Sequence, residues 1–213
     1  MTLFLAGGGS ATQEAQVWRR ACSNVERLLY WPFALPDDRV SDAEAWLLAG
    51  LEELGIDLRV ETWACLDGHS TTELGRHDLL FVGGGTTSKL AAHIRENEFE
   101  QAVRDFVAGG GRYYGGSAGA LLACEWISIA ALLEKDPDAL GMQGLGLIPG
   151  FSIFPHADKY PAGRPAEVAE KLGHEVLVLP EASGVVVDGD SLRAIGPDTV
   201  QIASPYHTQI LSS

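Results

Sequence analysis

Three short apolar runs each end in glycine, and no other feature of this sequence restricts its possible folds as much. Leu3–Ala6 runs into Gly7-Gly8-Gly9, Leu79–Val82 into Gly83-Gly84-Gly85, and Arg112–Gly115 into Gly116-Ser117. Helical patterns lie between such runs. One extends from about Gln13 to Glu26. A second opens at Ser41, with Glu44 three residues on as a capping box. Its Trp46, Leu47, Leu51 and Leu54 share one face, and Gly55 is a C-cap. A third carries Phe99, Val103, Phe106 and Val107 and stops at Gly109-Gly110-Gly111. Leu28–Phe33, closed by Pro36-Asp37-Asp38, and Leu58–Trp63 add further strand candidates. Strands alternating with helices predict a parallel sheet covered on both faces.

The C-terminal part changes character. Val176–Leu179, Val185–Val187, Leu192–Ile195 and Val200–Ile202 follow one another closely, with turns such as Asp188-Gly189 between them. These predict antiparallel strands or a hairpin at one edge. No repeat or linker divides the chain. The expected fold is therefore one α/β domain over residues 1–213: a mostly parallel, doubly wound sheet flanked by helices, with antiparallel strands near the C-terminus.

Charge and cysteine content narrow the function classes. The 213 residues carry 29 Asp and Glu against 15 Lys and Arg, a net charge of −14. Such a surface repels phosphate backbones and excludes nucleic acid as a partner. No apolar run approaches the roughly 20 residues of a membrane span, and Met1–Ala6 lacks a signal peptide's basic start. Cys22, Cys65 and Cys124 form no CxxC pair, which fits reduced thiols and a cytoplasmic location. Cys124, in an apolar stretch, is expected to be a buried, inert thiol.

The chemistry concentrates at Tyr114-Gly115-Gly116-Ser117-Ala118-Gly119-Ala120. A G-x-S-x-G between a strand and a helix is the pattern of a nucleophile elbow, which lifts a serine hydroxyl above the sheet. Gly83-Gly84-Gly85-Thr86-Thr87 ends a strand on the same carboxyl edge, where open α/β sheets bind ligands. Backbone N–H groups there and at Ala118 could stabilise an oxyanion. The cluster lacks the Lys-Ser/Thr continuation of a phosphate-binding P-loop. Gly7-Gly8-Gly9-Ser10 reads as a close-approach loop on the same rim.

A serine needs a base, and the base a carboxylate to orient it. His69, His77, His93 and His174 lie in polar contexts and are expected on the surface. Phe151-Ser152-Ile153-Phe154-Pro155 delivers His156 to a strand end, and His207 is the rival base. With His207 the chain order would be that of an α/β-hydrolase, with Asp158 or Asp188 as acid. With His156 the best acid is Glu181, which follows Val176–Leu179 and Pro180.

Phe81-Val82-Gly83-Gly84-Gly85-Thr86, Gly116-Ser117-Ala118-Gly119-Ala120, Ile153-Phe154-Pro155-His156 and Leu179-Pro180-Glu181 stand in the order of one known family. With Gly144-Leu145-Gly146-Leu147-Ile148-Pro149, they make the chain resemble the dipeptidase E (aspartyl dipeptidase, peptidase S51) family of serine peptidases. The resemblance implies a class I glutamine amidotransferase-like fold. It also implies Ser117 as nucleophile, His156 as base, Glu181 as orienting acid, and an oxyanion hole from the N–H groups of Gly84 or Gly85 and Ala118. No metal or cofactor is implied. The partners are a small peptide substrate and, at most, a second copy of the chain as a homodimer.

Family members of this kind cleave dipeptides with N-terminal aspartate, which a cation must recognise. Arg164 and Lys159 are the cations available after the histidine. Two other readings stand beside this one. A cyanophycinase-like or other serine hydrolase would use a similar elbow. A non-catalytic amidotransferase-like binding module would keep the fold without the chemistry.

Overall fold

The computed structural model describes every residue except 134, 135 and 213. Its larger sheet has seven strands. In spatial order they are β3 (Arg59–Thr62), β2 (Arg27–Trp31), β4 (Leu79–Val82), β5 (Arg112–Gly116), β1 (Thr2–Ala6), β8 (Gly184–Asp188) and β9 (Ser191–Ile195). The first five are mutually parallel, and β8 and β9 add an antiparallel hairpin at one edge.

The central strands show little polar alternation because both faces are buried. Leu3, Leu5, Leu29, Trp31, Leu80, Val82 and Tyr113 belong to one core. Their immediate neighbours Phe4, Ala6, Leu28, Tyr30, Leu79, Phe81 and Tyr114 belong to the other. Helices α1 (Ala15–Ala21) and α2 (Asp37–Glu53) cover the second face. Helices α3 (Thr87–Glu96), α4 (Glu100–Ala108) and α5 (Ala118–Leu122) contribute to the first.

The C-terminal strands divide in a way the sequence pattern did not reveal. Only β8 and β9 extend the large sheet. β6 (Phe151–Phe154), β7 (Glu175–Val178), β10 (Gln201–Ala203) and β11 (Thr208–Ile210) form a second sheet, ordered β11-β10-β7-β6. There β6 and β7 are parallel, and β10 is antiparallel to both β7 and β11. Ile153, Phe154, Val176 and Leu177 of this small sheet pack into the first core. The short helix α6 (Ile129–Leu133), ahead of β6, also packs into the first core, and helix α7 (Arg164–Leu172) connects β6 to β7.

Two helices differ from expectation in their bounds. The helix expected over 13–26 is shorter, because Asn24 takes a left-handed φ of +58° after Ala21. Helix α2 begins at Asp37, not after Ser41: Pro36 is its N-cap, and Asp37 and Asp38 lie at the positive end of its dipole. The capping box forms elsewhere, between Ser70 and Glu73. Ala43, Leu47 and Leu51 are the buried stripe of α2, and Gly55 ends it with φ +68°. Trp46 lies beside that stripe, 47% exposed, with its ring edge-on to Trp18.

The spatial order β4-β5-β1 has a direct functional consequence. The carboxyl ends of these strands are neighbours, so the three glycine loops converge on one rim. No helix among the described residues is long and apolar enough to cross a membrane.

Candidate active site

Ser117 sits between β5 and α5 with φ +49° and ψ −108°, a conformation a serine adopts only under constraint. The flanking glycines explain how the turn is made. A Cβ on Gly115 would lie 2.4 Å from the Gly119 carbonyl oxygen, and one on Gly119 would lie 2.4 Å from that of Val82. The Ser117 N–H donates to the Ala6 carbonyl at 3.2 Å, and its own carbonyl accepts from Ala120 and Leu121 to start α5.

His156 follows β6 and Pro155 with φ +52°, and its N–H donates to the Gly7 carbonyl at 3.0 Å. Its Nε2 is 2.9 Å from Ser117 Oγ and its Nδ1 is 2.8 Å from Glu181 Oε1. With Nδ1 donating to the carboxylate, Nε2 keeps a lone pair for the serine hydroxyl. Glu181 follows β7 and Pro180, and its N–H donates to Asp158 Oδ1 at 2.8 Å. Burial acts to raise the Glu181 carboxyl, but hydrogen bonds from Lys159 and His156 outweigh it and hold the group below its ordinary range. The carboxylate therefore stays charged next to the imidazole.

The oxyanion candidates stand on the same rim. A Cβ on Gly84 would be 3.4 Å from Ser117 Cβ, which puts this loop directly against the serine. Gly85, at φ +142°, is pressed against the Ala34 carbonyl. Ala118 opens α5, where N–H groups have no acceptor within the helix.

Ser117 opens onto two hollows. One, of about 380 Å³, is walled by Tyr30, Phe81, Tyr114 and Trp46, with Gly8, Gly9, Gly83 and Gly84 on its inner side and Arg39 and Asp42 from α2. The other, of about 320 Å³, is lined by Gly85, Thr86, Asp136 and His156.

The two expected substrate-reading cations lie outside both linings. Lys159 pairs with Glu181. Arg164 donates to the Leu132 carbonyl at 3.2 Å and to Glu167 at 3.2 Å. Arg39 lines the larger hollow, and nothing in its local sequence, Pro36-Asp37-Asp38-Arg39, marked it in advance.

The rival groups lie apart from Ser117. His207 bonds Ser204 at 2.9 Å in the β10–β11 turn, Asp188 accepts from Thr2, and Asp158 holds the Glu181 backbone. Of the four histidines expected on the surface, His77 is buried, and His69, His93 and His174 are half-buried and packed or bonded. His77 is buried against Glu61 at 3.0 Å, and His69 stacks on Trp63. His93 accepts from the Leu66 N–H at 2.9 Å, and His174 bonds Ser152 at 2.8 Å. Three of these four partners lie 16 or more residues away in sequence, beyond the reach of a local pattern. Cys124 is buried as expected, and burial pushes its thiol up to about 12.

The chain is similar to known peptidases. Residues 3–195 match the model of peptidase family S51. Peptidase E of Salmonella paratyphi A is 31% identical over 178 residues, covering 78% of this chain and 73% of that protein. Peptidase E of Shigella sonnei is 30% identical over 185 residues, covering 82% and 78%. Among solved structures, a Listeria monocytogenes protein described as a peptidase E aligns with a TM-score of 0.74 at 22% identity, over 92% of this chain and 98% of that one. A peptidase from an acI-B1 actinobacterium aligns with a TM-score of 0.78 at 18% identity, over 100% and 94%. At these identities the two structures bear on the fold alone.

Proposed function

The chain belongs to peptidase family S51 and is a serine-type peptidase, and we propose that it cleaves short peptides through an acyl-enzyme formed on Ser117. The observation that carries this reading is the unbroken hydrogen-bond chain from Ser117 Oγ through His156 to Glu181. Ser117 Oγ attacks the scissile carbonyl while His156 Nε2 takes its proton, and Glu181 stabilises the imidazolium that forms. The N–H groups of Gly84 or Gly85 and of Ala118 receive the oxyanion. The imidazolium then protonates the leaving amine, and water repeats the sequence on the ester.

The position of the proton donor supports one assignment of the two hollows to the halves of the substrate. The leaving amine must face His156, so it occupies the hollow that His156 lines. The acyl residue extends into the larger hollow.

The resemblance to aspartyl dipeptidases points to an N-terminal aspartate as the acyl residue. Lys159 could read that side chain in exchange for its bond to Glu181, and Arg164 in exchange for its bonds to Leu132 and Glu167. Arg39 needs no such exchange, since it already lines the larger hollow. A second reading has its own support. The rings of Tyr30, Phe81, Tyr114 and Trp46 suit a large apolar or aromatic N-terminal side chain.

Hydrolysis of free dipeptides with N-terminal Asp, Phe, Tyr or Leu, followed by mass spectrometry for wild type and Ser117→Ala, tests both readings. Cleavage lost in the variant supports the serine mechanism, and the preferred N-terminal residue selects between the substrate classes. Cleavage retained in Ser117→Ala would overturn the mechanism.

A further inference from the structure

The reaction so far gives no role to a carboxylate buried beneath it. Glu14 is 1% exposed, just ahead of α1. Its Oε1 accepts the N–H groups of Gly8 at 2.7 Å and Gly9 at 2.9 Å. Its Oε2 accepts from Trp18 Nε1 at 3.0 Å and from the Tyr114 hydroxyl. All four contacts are donors, so the ionised, acceptor-only form fits the site. An isolated carboxylate is costly to bury, and four donors are what make this one tolerable.

The loop that Glu14 holds touches all three members of the proposed triad. The Ala6 carbonyl accepts from Ser117 N–H, and the Gly7 carbonyl accepts from His156 N–H. Gly8 lies so close that a Cβ there would be 2.6 Å from His156 Cε1 and 2.7 Å from Ser117 Cβ. A Cβ on Gly9 would be 2.4 Å from the Glu181 carbonyl oxygen. The backbone of this loop is therefore the floor on which nucleophile, base and acid rest, and glycine alone offers no side chain to brace it.

We propose that Glu14 is a positioning residue: through Gly8 and Gly9 it fixes the loop that sets the distance between Ser117 and His156. The inference rests on the triad reading above. Protonation of Glu14 would put a hydrogen where a donor already points, so the brace requires the carboxylate. Burial outweighs the four hydrogen bonds and pushes its carboxyl up to about 7. The titratable groups that face it are Tyr114 from β5 and, beyond that ring, Cys22 after α1. Burial raises both and keeps them neutral. His156 and Glu181 lie across the glycine loop.

Activity then depends on the deprotonation of Glu14. The acid limb of log kcat/KM against pH is expected to carry an ionisation near 7 in wild type. Glu14→Gln keeps the shape, places an amide donor among donors, and cannot ionise. Its limb is expected to lose that ionisation, with kcat down about 10- to 100-fold at pH 8 and KM within about twofold, as misplacement rather than lost binding predicts.

Tyr114→Phe is the second variant, should Glu14→Gln fail to fold. It removes one donor to Oε2, so the Glu14 ionisation, and with it the limb, moves to higher pH. The same ionisation retained in Glu14→Gln, or a limb unmoved in Tyr114→Phe, would overturn the proposal. Peptide hydrolysis retained in Ser117→Ala would overturn the triad reading itself, and with it this inference.

Discussion

His156 and Lys159 meet at a single oxygen, Oε1 of Glu181: the imidazole Nδ1 from one side at 2.8 Å and the ammonium Nζ from the other. The two contacts differ in environment. The Glu181 side chain is 14% exposed and that of Lys159 is 59% exposed, so the lysine pair is screened by water. Lys159→Met should leave the His156–Glu181 bond in place and kcat within about threefold of wild type. A selective rise in KM for Asp-X dipeptides would identify Lys159 as a reader of the acyl side chain. A loss of kcat beyond about 30-fold on every substrate would show that the lysine does more than hold Glu181 charged.

Gly8 is a position where a single methyl group decides the site. Its φ is +95°, and an added Cβ would overlap both His156 and Ser117. Gly8→Ala is expected to lose at least about two orders of magnitude in kcat/KM, since a displacement of about 1 Å costs that much. The left-handed backbone would add a stability loss of about 1–3 kcal/mol, measurable by urea unfolding. Near-wild-type turnover in this variant would contradict the close packing of the glycine loop against the reactive groups.

The pattern of apolar runs and glycines made the central sheet and its glycine-lined rim legible in sequence. Leu79–Val82 is a strand with the expected bounds, and the order β4-β5-β1 joins its glycine loop to the Ser117 turn. Ser117, His156 and Glu181 were each found at strand ends, and those ends converge. What stayed hidden depends on contacts between distant segments. The second sheet pairs β6 with β7 across α7, which local periodicity does not encode. Arg39 and Trp46 line the larger hollow because of how α2 lies across the rim, not because of any local motif. No motif sets Glu14 apart in the sequence, and one of the side chains that packs on it, Tyr114, lies 100 residues away.

Glu14 should also leave a mark on stability. Its folded carboxyl lies at about 7, above the ordinary value of 4.5. Between those two values the folded chain holds more protons at this site than the unfolded chain, so the site's contribution to stability falls as pH rises. The full excursion is about 3 kcal/mol. Urea unfolding of wild type and Glu14→Gln at pH 5 and pH 8 isolates it. Relative to wild type, the variant should gain stability from the lower to the higher pH. A constant difference at the two pH values would contradict a raised Glu14.

Thiol chemistry offers a check on packing. Cys22 and Cys124 are buried and Cys65 is exposed. Burial pushes the thiols of Cys22 and Cys124 up to about 12, which suppresses the thiolate that reacts. In the native protein a thiol reagent should modify one equivalent quickly, mapped to Cys65, and the remaining two only on unfolding. Fast modification of Cys124 would mean that the core beneath α5 is open.

The proposed role of Ser117, a nucleophile made reactive by His156, is open to covalent labelling. Wild type treated with a fluorophosphonate should carry one adduct, mapped by peptide mass spectrometry to Ser117. In His156→Ala the rate of labelling should fall by at least about two orders of magnitude. Peptide hydrolysis that persists while Ser117 stays unlabelled, or labelling that is indifferent to His156, would contradict the account.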